Sequence, residues 1–227
     1  MKLLTRISAL LPLVITLIWL QFLPDQIPAH YDFQGNINRW GSKWESLLLP
    51  GVVLLMALIF ALAEKAELKK AAKDEKLLAR TESNVKLMRI IAIATNLMFT
   101  GMVVVMLVSA SRETAANSTK MPAGLNRVLA ILLGATVGVL GNYMPKAKPN
   151  SFVGFRCGWT MFNDVTWQRC NRFAGWALMI TGLAIVMSGI LLPASWAPWI
   201  MIVQISLSLV ISLIYAAKVY REEKAKE

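Results

Sequence analysis

The sequence has little of what metal sites, disulfide frameworks and catalytic centres require. It contains one histidine, His30, and two cysteines, Cys157 and Cys170, which do not form a Cys-x-x-Cys pair. This composition disfavours a zinc site and a disulfide framework, so we expect two free thiols and no bound metal. There is also no His-Glu-x-x-His or Gly-x-Ser-x-Gly motif. We therefore expect neither an enzyme nor a cofactor.

Charged side chains are absent from five long stretches of the chain. A helix needs about 20 apolar residues to cross the hydrocarbon layer. Four stretches are near that length, and the fifth has Pro193 and Pro198 near its middle, which predicts two spans there. The stretches are 7–24, 46–63, 90–111, 128–145 and 173–217. With 56% hydrophobic residues and a mean hydropathy of +0.55, the sequence predicts an all-α, polytopic membrane helix bundle of about six transmembrane helices.

Lysines and arginines are distributed unevenly between the segments on the two sides of the membrane, if the chain crosses it six times. If the amino terminus is cytoplasmic, 19 of the 24 lie in cytoplasmic segments and 5 in outer segments. Cytoplasmic loops of membrane proteins carry such an excess, so we expect both termini in the cytoplasm. The same distribution explains the pI near 9.9 through contact with the membrane surface, so direct binding of nucleic acid is not expected.

Aromatic, charged and turn-forming residues are mixed in the 25–45 segment, which this orientation places outside the cell. Trp40 and Trp44 suit the aromatic belt at a membrane interface. Aromatic and charged side chains together also make a good peptide-binding surface. His30 and Asp32 alone supply too few ligands to predict a metal site. An interfacial anchor and a ligand-contacting loop both remain open here.

The 64–89 segment is rich in alanine, glutamate, lysine and leucine. We expect it to continue the second helix into the cytoplasm and to turn back near 81–84. Glu67 and Lys70 have the spacing of a helical ion pair. The segment is either a solvated hairpin or a docking surface for a cytoplasmic partner or anionic lipid headgroups.

Arginines, aromatics and glycines alternate closely in residues 141–175, which we call the signature loop. Asn163 or Asp164 is expected to cap a helix that continues into the fifth span. On that helix Trp167 and Asn171 share a face at i,i+4. The loop is either an interfacial anchor or a shaped, partly re-entrant platform under the helices.

The signature loop resembles that of SdpI-type immunity proteins. The matching residues are Gly141-Asn142-Tyr143-Met144-Pro145-Lys146, Asn150, Gly154-Phe155-Arg156, Trp159-Thr160, Trp167, Asn171-Arg172 and Gly175. An earlier pattern is similar to the two-helix module that often precedes this signature: Pro28-Ala29-His30, Gly35, Trp40 and Lys43. Where the family commonly has Thr-Pro before its tryptophan, this chain has Cys157-Gly158, which leaves the backbone path less fixed.

The resemblance, which covers residues 1–63 and about 125–217, and the composition of the segment between them together predict three parts, and the resemblance implies a function. The parts are a two-helix module with its outer loop at 1–63, a cytoplasmic helical hairpin or linker at 64–89, and a four-helix SdpI-like domain at 90–227. The implied function is resistance to a secreted, membrane-active peptide toxin, exerted in the bacterial cytoplasmic (inner) membrane. The implied partners are the lipid bilayer, an extracellular peptide toxin and a cytoplasmic transcriptional repressor held at the membrane.

The resemblance also implies two sets of ligand-contacting residues. The cytoplasmic set is Asn142, Asn150, Gly154, Arg156, Trp159, Thr160, Trp167, Asn171 and Arg172. The outer set is His30, Gly35 and Lys43.

Transport is the alternative function. Ion-coupled transporters usually place ionisable residues inside the membrane, and all six spans here lack them. We expect Asn96 and Gln204 to form hydrogen bonds between helices instead. A small transporter or channel for a peptide or apolar substrate stays open. An intramembrane Cys–His enzyme is disfavoured because His30 and the two cysteines are expected on opposite faces of the bilayer.

Overall fold

The computed structural model describes residues 1–32, 35–122, 124–150 and 152–226. Within these ranges the chain forms six α-helices and one two-stranded sheet. The elements are α1 Lys2–Trp19, β1 Gln26–Tyr31, β2 Ile37–Ser42, α2 Leu48–Ala71, α3 Glu75–Ala115, α4 Leu125–Tyr143, α5 Asp164–Leu191 and α6 Ala197–Lys224. Every one of these helices is long and apolar enough to cross a membrane. The expected all-α, six-span fold is confirmed, and the protein is a multi-pass membrane protein.

The bundle has two distinct ends. The hairpin end carries β1, β2 and the α3–α4 and α5–α6 connections. The basic end carries the α2–α3 turn with the helical segments on either side of it (64–89), the signature loop, the start of α1, and the end of α6 with the residues after it. The segments at the basic end hold 19 of the 24 lysines and arginines.

Glycines allow α4 and α5 to pack with their backbones in contact. Gly134 and Gly141 lie seven residues apart on α4 and face Gly182 and Gly175 on α5. A methyl group added to Gly141 would lie 2.6 Å from the carbonyl oxygen of Gly175. Helices associate in lipid through such close packing, because no hydrophobic effect drives them together there. The α4–α5 pair therefore forms a closely packed connection between the hairpin end and the basic end.

Polar contacts join other helices. Asn96 on α3 donates a hydrogen bond from Nδ2 to Ser8 Oγ on α1 at 3.1 Å, as expected from the sequence. The corresponding expectation for Gln204 is not met, since its buried Oε1 has no hydrogen-bond partner among the described residues. Arg169 at the start of α5 forms salt bridges with Glu222 at 2.8 Å and Glu223 at 3.3 Å on α6.

The turn between α2 and α3 lies earlier than the sequence predicts. α2 ends at Ala71, and Asp74 caps α3 by accepting hydrogen bonds from the amides of Lys76 and Leu77. The predicted turn at 81–84 is wrong, because these residues lie inside α3. The Asp74 side chain satisfies amides that the first turn of a helix leaves unpaired, which explains why the helix begins there.

The predicted break in the last long stretch is confirmed. α5 ends at Leu191, a short 3-10 turn covers Ala194–Trp196, and α6 begins at Ala197. Pro198 lies in the first turn of α6, where its missing amide hydrogen costs no helical hydrogen bond.

Candidate functional site

The start of α5 is fixed by a capping box in the signature loop. Asn163 Oδ1 accepts from the amide of Thr166 at 2.8 Å, and the Thr166 hydroxyl accepts from the amide of Asn163 at 3.0 Å. Of the two caps that the sequence allowed, Asn163 is the one used. The Thr166 hydroxyl also donates to the carbonyl of Thr160 at 3.2 Å. The helix cap thus holds the preceding part of the loop as well.

Asn150 organises the loop next to α4. Its Oδ1 accepts from the amides of Phe152 and Val153, each at 2.7 Å. Its Nδ2 donates to the carbonyls of Lys148 at 2.7 Å and Val153 at 2.8 Å. One asparagine side chain therefore closes this turn with four hydrogen bonds to the backbone.

Trp167 and Asn171 support the loop from α5. They are 2% and 1% exposed, and they share a face at i,i+4 as the sequence predicts. Trp167 Nε1 donates to the carbonyl of Ala147 at 2.8 Å. Asn171 Oδ1 accepts from the amide of Phe155 at 2.7 Å, and its Nδ2 donates back to the Phe155 carbonyl at 3.4 Å. Two buried side chains therefore satisfy backbone groups of the loop that lies over them.

Gly154 is where the loop passes over these two side chains. Its φ of +119° lies in the left-handed region, which favours glycine. A methyl group here would lie 2.6 Å from Asn171 Oδ1 and 2.9 Å from Trp167 Cζ2. The position therefore needs glycine for its backbone angle and for space.

Thr160 closes a second turn of the loop. Its hydroxyl accepts from the amide of Cys157 at 3.0 Å and lies 3.1 Å from the Cys157 carbonyl, to which it donates. Thr160 is fully buried, whereas Cys157 is partly exposed and its thiol is free, as is that of Cys170. The expectation of two free thiols is confirmed.

The rest of the predicted cytoplasmic set lies on the surface. Asn142, Arg156, Trp159 and Arg172 are exposed, with Trp159 41% exposed. The guanidinium of Arg156 lies 3.9 Å from Met161 Sδ. The structure thus divides the nine predicted residues into five that hold the loop together and four that the folded loop presents to its surroundings.

The loop packs against the ends of other helices, through a contact that the sequence does not reveal. Trp167 and Val153 belong to one buried cluster with Leu87 and Met88 of α3 and Ala63 of α2. Asn84 on α3 also accepts from the amide of Lys148 at 2.9 Å. These contacts favour the packed platform over the simple interfacial anchor. The sequence does not mark Asn84 as a partner of the loop, since it predicts a turn at 81–84 instead.

The 25–45 segment forms a hairpin that the sequence analysis did not predict. β1 and β2 pair antiparallel, with Gln26 opposite Ser42 and Pro28 opposite Trp40. Near its tip Gly35 has a φ of +80°, and its carbonyl accepts from the amide of Met121 at 2.7 Å. The hairpin is therefore joined to the α3–α4 connection, and glycine is required at its tip.

His30 and Lys43 hold other parts of the hairpin. His30 Nδ1 lies 2.7 Å from Asn38 Oδ1 across the two strands. Lys43 Nζ forms a salt bridge with Asp25 at 2.9 Å, which closes the open end. The three predicted outer residues thus lie at the tip, the middle and the base of the hairpin.

Tyr31 attaches the hairpin to α3. Its hydroxyl donates to Glu113 Oε2 at 2.7 Å, and Glu113 is only 2% exposed. Burial, together with the hydrogen bond and the negative charge of Glu113, raises the pKa of Tyr31 well above its ordinary value. Tyr31 therefore remains a donor throughout the physiological range. This pair was not predictable from the sequence, because the two residues lie 82 positions apart.

Tyr31→Phe is expected to loosen the hairpin without unfolding the bundle. Glu113 would lose this donor while staying buried, at a cost of about 1–3 kcal/mol. Amide hydrogen exchange on β1 and β2 should accelerate. Tyr143→Phe is the control, because the Tyr143 hydroxyl has no hydrogen-bond partner among the described residues. Equal exchange in both variants would show that the Tyr31 bond does not hold the hairpin.

The hairpin covers a cavity of about 810 Å³ at the hairpin end. Its lining comes from the hairpin, α3, the start of α4 and the α5–α6 connection. Most of the lining is apolar, with examples in Val103, Leu107, Leu125, Leu129 and Pro198. Its charged members are the carboxylates Asp32 and Glu45, and no described lining residue is lysine or arginine. His30 and Gly35 line the cavity, whereas Lys43 does not.

Metal binding is not suggested by either end. Among residues 1–32, 35–122, 124–150 and 152–226, no group of three or more His, Cys, Asp or Glu side chains could hold a metal ion.

Comparisons with known proteins match both ends of the chain. Residues 7–61 match a domain described as Domain of unknown function (DUF1648), and residues 146–216 match the SdpI/YfhL protein family. A curated relative from Bacillus subtilis (strain 168), named Immunity protein SdpI, is 24% identical over 208 residues. That alignment covers 91% of this chain and 89% of the relative. No solved structure matches the chain.

The match at 146–216 includes the segment from Asn150 to Arg172, which forms most of the signature loop. The match at 7–61 includes the hairpin. The resemblance expected from the sequence is confirmed: residues 146–216 match the SdpI/YfhL protein family, and a match to DUF1648 precedes them at 7–61.

Proposed function

We propose that the protein is a membrane immunity protein that protects its cell against a secreted, membrane-active peptide toxin. The observation that carries this proposal is the cavity under the hairpin, which offers an apolar space on one face of a membrane protein. The similarity to a relative named Immunity protein SdpI supports the same function.

The hairpin end faces the outside of the cell in this proposal, and the basic end faces the cytoplasm. The 19 to 5 distribution of lysines and arginines supports this orientation, since positive residues accumulate in cytoplasmic segments. Both termini are then cytoplasmic, and the membrane is the bacterial inner membrane. A secreted toxin would meet the hairpin first.

The chemistry of the cavity suits a peptide that combines apolar and cationic groups. Apolar side chains such as Leu107 and Leu129 would contact the apolar part of such a peptide. The carboxylate of Asp32 would attract a positive charge of the peptide, whereas that of Glu45 already forms a salt bridge with Arg39 at 2.7 Å. Membrane-active peptides typically have this amphipathic, basic character.

The exposed residues of the signature loop are the readout in this proposal. Arg156 and Trp159 are presented on a loop whose own structure is held by Asn150, Thr160 and Asn171. An aromatic and an arginine side chain on such a platform are typical of protein-binding surfaces. We propose that they contact a cytoplasmic repressor when the toxin is bound, with the packed α4–α5 pair connecting the two ends.

Leu129→Trp tests the cavity as the toxin site. A larger side chain should fill space that the peptide needs, so the tolerated toxin concentration should fall by about tenfold or more, which corresponds to about 1.4 kcal/mol. Survival of a deletion strain is measured after complementation and challenge with candidate peptide toxins. Val128→Trp is the control, because Val128 is the exposed neighbour and does not line the cavity.

The outcomes of this experiment are distinct. Equal protection by both variants, at equal amounts in the membrane, would exclude the cavity as the toxin site. No difference between wild type and the deletion strain with any toxin would contradict immunity itself. Toxin-dependent efflux from reconstituted vesicles would favour transport, the alternative function.

A further inference from the structure

A second cavity, of about 800 Å³, lies at the basic end between three helices. It is bounded by the start of α1, the second half of α2 and the middle of α3. Its walls are largely apolar, with Ala9 and Leu10 on α1 and Ala57, Phe60 and Ala61 on α2. Nothing in the proposed immunity function uses this space.

The rim of the cavity is cationic. Lys2 and Arg6 lie at i,i+4 on α1, and Lys65 lies on α2. All three are exposed, and none has a salt-bridge partner in the part of the chain that the structure describes. Arg89 also lines the cavity, but its charge is balanced by a bidentate salt bridge with Glu64. Three positive charges therefore remain unbalanced around one opening.

The three cations lie at the boundary of the hydrocarbon layer. Arg6 immediately precedes the charge-free stretch 7–24. Only Glu64 separates Lys65 from the end of the stretch 46–63. Lipid phosphates lie at this depth, and acyl chains begin just below it. The positive rim therefore lies at the level of a lipid phosphate, and the apolar walls lie at the level of the acyl chains below it.

We propose that this cavity binds one anionic phospholipid from the leaflet at the basic end. The phosphate group lies among Lys2, Arg6 and Lys65, and the acyl chains lie along Leu10, Ala57 and Ala61. A zwitterionic lipid carries no net negative charge, so it would not be attracted by the three cations. Free phosphate has no apolar part, so it would not contact the apolar walls. Basic pockets between transmembrane helices recognise anionic headgroups in this way.

Binding is measured on the full-length protein, delipidated in detergent, by native mass spectrometry and thermal unfolding. Added phosphatidylglycerol should bind and raise the unfolding midpoint, whereas phosphatidylcholine and inorganic phosphate should do neither. The variant Lys2→Gln/Arg6→Gln/Lys65→Gln should lose about tenfold or more in phosphatidylglycerol affinity, because each cation near the surface contributes to the attraction. The single variant Arg6→Gln should show a smaller loss, and it serves if the triple variant does not fold.

The control is Lys69→Gln/Lys73→Gln/Lys76→Gln, which removes the same formal charge from exposed residues outside the cavity. Phosphatidylglycerol binding should survive in this control. Equal losses in both triple variants would overturn the proposal, because general surface charge would then explain the binding. Equal binding of phosphatidylcholine, or stabilisation by inorganic phosphate alone, would also overturn it. None of these measurements depends on a toxin.

Discussion

Gly154→Val is expected to disorder the signature loop and to lower the unfolding midpoint by roughly 10 °C. Valine is strained at a φ of +119°, which costs about 1–3 kcal/mol. Its Cβ would also lie 2.6 Å from Asn171 Oδ1, and Asn171 cannot withdraw without losing its hydrogen bonds to Phe155. Overpacking at a buried contact costs a further 1–3 kcal/mol or so.

Gly158→Val is the matched control for this prediction. Gly158 belongs to the same loop and lies four residues later, but no atom of the described residues lies within 4 Å of its added Cβ, and its φ is not positive. Thermal unfolding in detergent and amide exchange across the loop should therefore change strongly for Gly154→Val and little for Gly158→Val. Equal effects of the two substitutions would contradict the conclusion that position 154 requires glycine because the loop passes close over Asn171 and Trp167.

The spans were predictable because their signal is local. The first four stretches without charge each correspond to one helix, and in the fifth Pro193 and Pro198 mark the division between α5 and α6. The i,i+4 relation of Trp167 and Asn171 is local as well, and both residues turn toward the loop. Helical periodicity carries such information because it depends on spacing alone.

What the sequence did not reveal depends on contacts between distant segments. The hairpin is held to α3 by Tyr31 and Glu113, and to the α3–α4 connection by Gly35 and Met121. The aromatic residues of the hairpin suit a membrane interface in any backbone conformation, so they did not indicate strands. The turn between α2 and α3 was misplaced for a related reason. Asn84, which reads as a turn residue, serves instead as a buried partner of Lys148.

The same distinction separates the residues of the signature. Asn150, Gly154 and Asn171 have roles that the folded loop itself explains, since each satisfies or accommodates the backbone. Arg156 and Trp159 are exposed, and the hydrogen bonds of Asn150, Thr160 and Asn171 that close the loop do not use their side chains. Substituting these two residues leaves those hydrogen bonds in place, so the variants separate a function of the exposed surface from the structure of the loop.

Arg156→Ala and Trp159→Ala are each expected to remove protection while leaving the protein in the membrane. Both side chains are exposed, so the free energy of unfolding should change by only about 0.5 kcal/mol. Survival of the complemented deletion strain should fall to that of the deletion strain alone. Arg221→Ala and Trp176→Ala, which alter exposed residues outside the signature loop, should protect fully. Full protection by both loop variants would remove Arg156 and Trp159 from the proposed readout, whatever the cavity at the hairpin end binds.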